Sequence, residues 1–150
     1  MSLRGWGAVG LVLLLGGSLC AQASADDPSS WLGLTPDTAY ALRGAPAEVF
    51  PLAVDDKRWQ VVHFYADHSY LFWSSNHVWQ IRLDKLWTGT FKGVTLGMSR
   101  TDAEAALGEP LARGDAWSVW SLPYQAFPRR LRLVFIDGAL ADVYLYRSDL

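Results

Sequence analysis

LGMSRTDAEAALGEP, residues 96–110, and LGLTPDTAYALRGAP, residues 32–46, follow one plan. At a constant offset of 64 they keep Leu32/Leu96, Gly33/Gly97, Ala39/Ala103, Ala41/Ala105, Gly44/Gly108 and Pro46/Pro110. Six identities in fifteen ungapped positions exceed the chance level of about one. The pattern reads as a duplicated structural unit. Each copy has the marks of a short helix. Thr35 and Ser99 stand at the N-cap, Pro36 at the first helical position, and Asp37 and Asp102 in the first turn, where negative charge complements the helix dipole. Gly44 and Gly108 end the two helices, and Pro46 and Pro110 prevent their resumption. Two turns are marginal for an isolated helix, so each must lean on strands.

Those strands follow in the pattern. After the first helix, residues 48–52 read as a short strand and 55–58 as a charged turn; runs at 59–65, 70–73 and 78–83 then form a meander. In the last of these, Trp79, Ile81 and Leu83 alternate with Val78, Gln80 and Arg82. Residues 84–95 carry Leu86, Trp87, Phe91 and Val94, which require burial, so the halves are expected to pack as one domain. After the second helix, 116–122 reads as a strand, 123–129 as an open turn and 130–136 as a strand with Leu131, Leu133 and Phe135 on one face. Asp137-Gly138 marks a hairpin into the last strand, 139–146. The expectation is an α+β fold of two tandem helix–antiparallel β-meander repeats, about 31–84 and 94–148. These would form a single domain, 26–150, with the helices on one face of the sheet.

The chain of 150 residues is 51% hydrophobic and 19% charged, with a net charge of −2. No dense Lys/Arg run points to nucleic acid. Arg4, the apolar run 8–19 and Ala23-Ser24-Ala25 form a secretory signal with cleavage between Ala25 and Asp26. Removing it leaves no stretch able to span a bilayer. Cys20 is the only cysteine, and cleavage would leave a mature chain without a thiol. The reading is of a periplasmic or secreted protein whose stability comes from packing its many aromatic side chains.

The motif Gly-[Leu/Met]-[Thr/Ser]-x3-Ala-x4-Gly-x-Pro (Gly33 to Pro46, Gly97 to Pro110), followed by a meander, resembles the SmpA/OmlA family of small outer-membrane assembly lipoproteins. Its duplication is similar to the β-lactamase inhibitory protein-like family of tandem helix-plus-meander repeats. That resemblance implies a cell-envelope protein that binds another protein across a sheet. The cysteines typical of the inhibitor-like repeats are absent, and Leu19 precedes Cys20 where lipoprotein signals carry a small residue.

Catalytic patterns are weak. Gly97-Met98-Ser99 opens like a nucleophile elbow, but Thr101 replaces the closing glycine. His63, His68 and His77 all lie in the first meander, with His68 and His77 in turns at opposite ends of one strand. A span of roughly 13–17 Å at about 3.3 Å per residue separates those turns. No catalytic residues, metal ligands or cofactor are therefore assigned. The face opposite Leu131, Leu133 and Phe135 carries Gln80, Arg82, Arg130 and Arg132, and in the last strand Asp142, Tyr144 and Tyr146. Tyr and Arg beside a few acceptors are the materials of binding hot spots. These seven are the candidate partner-binding residues, and the expected function is a noncatalytic envelope module that engages a protein. The alternatives are an envelope hydrolase or metal-dependent enzyme built on the three histidines, or a glycan-binding module presenting Trp73 and Trp120.

Overall fold

The computed structural model describes residues 25–150. The expected signal segment and Cys20 lie outside the described residues, except for Ala25, which is exposed at a turn. Helix α1 (Pro36–Arg43) precedes strands β1 (Glu48–Ala53), β2 (Trp59–Phe64), β3 (Ser69–Ser74) and β4 (His77–Leu83). Helix α2 (Arg100–Leu107) precedes β5 (Ala112–Arg113), β6 (Trp117–Gln125), β7 (Phe127–Ile136) and β8 (Ala139–Arg147). All eight strands form one antiparallel sheet in the order β1-β2-β3-β4-β8-β7-β6-β5.

This overturns the α+β expectation of two helix–meander repeats. The fold is sheet-dominated, because β4 pairs directly with β8 and makes the strands one continuous surface. The helices are eight residues each, too short to form a layer of comparable weight.

One face of the sheet carries the core. The register Leu71↔Ile81↔Leu145↔Leu131 crosses four strands, and all four side chains are fully buried. Ala39 and Ala103 pack into the same cluster; their small side chains let each helix approach closely. Trp31, Trp87, Phe91 and Val94 fill the remaining space.

The caps formed as the residue types allow. The Ser99 hydroxyl accepts from the Asp102 N–H at 3.1 Å and donates to the Asp102 carboxylate at 2.8 Å. In α1 the Thr35 N–H donates to the Thr38 hydroxyl at 2.9 Å. Gly44 and Gly108 lie at φ 75, ψ −167 and φ 81, ψ −168. That is the extended positive-φ region open essentially to glycine alone, rather than the left-handed helical region expected of a C-cap.

Three segments depart from their sequence reading. Residues 123–129, expected as an open turn, instead extend β6 and β7 to a tight reversal at Ala126, φ 58. Residues Pro28–Trp31, given no element from the sequence, form a 3-10 turn capped by Asp27 and pinned by buried Arg129, which donates to the Ser29 carbonyl at 3.2 Å. In β4 a bulge opposite Phe72/Trp73 pairs Trp73 with Val78. Val78, not Trp79, therefore joins Ile81 and Leu83 in the core.

The sheet's two edges are unequal in form but alike in effect. β5 is two residues long. β1 is exposed and carries Pro51. The Val54 N–H bonds the Arg58 carbonyl, which sets the even-numbered residues of β1 toward β2 and leaves the proline's missing N–H on the free edge.

Candidate functional site

The helices and the 84–99 connection pack on the core face, so the opposite face of the central strands stays open. Its residues follow from strand parity: where Leu131, Leu133 and Leu145 point inward, Arg130, Arg132, Tyr144 and Tyr146 point outward. The register places Gln80↔Tyr146↔Arg130 in one row and Arg82↔Tyr144↔Arg132 in the next. Asp142 lies beside them, accepting from the Arg82 Nε at 2.7 Å. The structure thus brings all seven sequence-derived residues onto one surface of β4, β8 and β7.

The second row continues through residues that the sequence reading did not include. Phe64↔Tyr70↔Arg82 extends it across β2 and β3, giving the row Phe-Tyr-Arg-Tyr-Arg. The Phe64 and Tyr70 centroids are 4.9 Å apart. The Arg82 Cζ sits 5.4 Å from the Tyr70 ring and 6.0 Å from the Tyr144 ring, and Arg132 lies 5.6 Å from the Trp117 ring. Such contacts favour a cation over an aromatic face. Tyr70 was hidden because β3 reads Tyr-Leu-Phe-Trp, apolar on both faces, and offers no alternation by which to set its parity. Trp79 was missed because of the bulge; it turns to the open side and donates to Gln60 at 3.0 Å.

Charge on this surface is partly neutralised within it. Burial works against the Arg82 charge, but the hydrogen bond to Asp142 and the neighbouring Tyr144 prevail and raise its pKa. Burial raises the Tyr144 hydroxyl as well, against the pull of Arg82, so it remains a neutral donor. Burial also pushes the Asp84 carboxyl upward, but hydrogen bonds from the Leu86 N–H, His68 and Tyr70 outweigh it and hold the group below its ordinary range. A groove of about 600 Å³ runs along β4 and β8, lined by Trp79, Gln80, Arg132, Tyr144 and Tyr146. A smaller hollow of about 280 Å³ lies between Arg82, Asp142 and Ile136. A depression of about 700 Å³ at the ends of β2–β4 holds Trp59, Val61 and Trp73 and adjoins the groove at Trp79.

The histidines are held apart. His63 lies on the core side of β2, 4.9 Å from the Trp73 ring. His68 pairs with Asp84, and His77 bonds the Ser75 carbonyl of its own turn. Among the described residues, no three His, Cys, Asp or Glu converge as metal ligands. Trp73 and Trp120, the platforms of the glycan-binding alternative, are 8% and 4% exposed and serve the core instead; Trp120 donates to the Gly108 carbonyl.

His63 has a different consequence. Its Nδ1 is buried without a protein partner, and burial holds its pKa below the ordinary 6.5. As pH falls, the unfolded chain takes the proton first, so stability declines from about pH 6.5 downward. Urea midpoints compared at about pH 7.5 and pH 5 should drop less in a His63→Phe variant than in the wild type. Equal drops would clear His63 of this role.

The fold and the face together define a class of protein: an open-faced antiparallel sheet backed by two short helices. No family model matches the chain, nor does any curated protein. Among solved structures it is similar to an extracellular protein containing a SCP domain from Bacillus anthracis str. Ames, with a TM-score of 0.57 and 13% identity. The match covers 99% of this chain and 51% of that one, so the chain spans about half the length of this structural neighbour. At that identity the structural likeness shows a shared fold alone. No helix among the described residues is long and apolar enough to cross a membrane.

Proposed function

We propose that this chain is a noncatalytic, periplasmic or secreted binding module that engages a protein partner through the open face of β4, β8 and β7. The observation that carries the reading is the double row Gln80↔Tyr146↔Arg130 and Arg82↔Tyr144↔Arg132 on a face that neither α1 nor α2 covers. Large amphipathic rings bury much area at little entropic cost, and both they and arginine recur where interfaces concentrate their binding energy. The signal-like N-terminal segment and the extracellular structural neighbour support the compartment. Capture from an envelope extract tests the reading. A partner retained by the wild type should be lost with Arg82→Glu/Tyr144→Ala, while the variant's far-ultraviolet spectrum is unchanged. Identical captured profiles would remove this face from consideration.

A further inference from the structure

Of four arginines on or beside this face, two are paired with a carboxylate and two are not; Arg132 and Arg147 line the groove and Arg82 the smaller hollow. Arg82 is paired with Asp142, and Arg147 with Asp149 at 2.9 Å. Among the described residues, Arg130 and Arg132 form no ion pair; Arg130 is held by the Ser121 hydroxyl and the Arg129 carbonyl, and Arg132 lies against Trp117. Both are outward on β7 at alternate positions, about 7 Å apart along the strand, with Tyr146 and Tyr144 opposite them in register. Each guanidinium keeps donors in a planar fork suited to a carboxylate.

From this we infer that the groove and the adjoining face of β7 take an extended acidic segment of a partner protein. Its carboxylates, two residues apart, would meet Arg130 and Arg132, and a large apolar side chain beside them would lie against Trp79. The spacing follows from the strand: alternate side chains of an extended peptide repeat at the same distance as the two arginines. The apolar anchor follows from Trp79, which the bulge turns to the open side and which lines both the groove and the neighbouring depression. A long polyphosphate or nucleic acid fits less well. The chain is net negative, and Asp142 and Asp149 stand among these arginines, so a uniform polyanion would meet repulsion where a short acidic segment would not. The inference rests on the proposed reading of this face as a protein-docking surface.

Random dodecapeptides displayed on phage, panned on the purified protein, provide the test. Enriched sequences should carry Asp or Glu at alternate positions next to an aromatic or aliphatic residue. For a synthetic peptide from that set, Arg130→Gln/Arg132→Gln should weaken binding about tenfold or more. Changing the peptide's acids to amides should do the same on wild-type protein, and combining the two changes should add little. Acid-free peptides that are lost on Tyr144→Ala would overturn the acidic partner while leaving the docking face standing. Additive losses, no enrichment, or tighter binding of polyphosphate than of any peptide would overturn the inference outright.

Discussion

Truncation of Leu145 to alanine is expected to cost about 3 kcal/mol and to lower the melting temperature by roughly 10 °C. Leu145 is fully buried in β8, between Ile81 of β4 and Leu131 of β7. The row it completes runs on to Leu71, so its loss opens a cavity where the strands on either side meet. Close-packed neighbours on both sides leave little room for the site to collapse. Because the sheet is continuous through this junction, thermal unfolding of the variant should remain one cooperative transition. Two separated transitions, or a loss below about 1 kcal/mol by urea titration, would contradict the central place given to β8.

Gly108→Ala is expected to cost about 1–3 kcal/mol although a methyl group there would touch nothing within 4 Å. The cost is in the backbone. At φ 81, ψ −168 an L side chain is strained whatever the surrounding space. Relaxing φ would shift the Gly108 N–H, which bonds the Glu104 carbonyl at 2.8 Å, and the Gly108 carbonyl, which holds the Trp120 indole at 2.9 Å. A helix end and a core tryptophan are thus tied to one residue. An alanine variant melting with the wild type would show that this backbone conformation carries no such penalty.

Much of the local structure was legible because its signals are local. The caps at Thr35 and Ser99 and the glycines at 44 and 108 bracket both helices. Alternation in 130–136 set Leu131, Leu133 and Phe135 inward, and Asp137-Gly138 forms its turn with both residues at positive φ. What was not legible is non-local. The Arg82–Asp142 contact joins positions 60 apart, and no short-range pattern announces that β4 will lie against β8. For that reason the helices were given too much weight and the sheet too little. The same limit applies within the site: the bulge that turns Trp79 outward depends on β3, and Tyr70 entered the row through its pairing with Arg82. The parity of Arg130, Arg132, Tyr144 and Tyr146 could be read because each strand there alternates by itself.

The blunt margins of the sheet constrain how any other polypeptide can meet this protein. Lengthening a ladder needs a run of free donors and acceptors. Here one margin is a two-residue stub and the other is interrupted by Pro51. Among the described residues, a visiting strand would find only short, interrupted runs to pair with along these margins. Association is thereby steered away from backbone pairing, which reads no side chains, toward surfaces where side chains set the choice of companion.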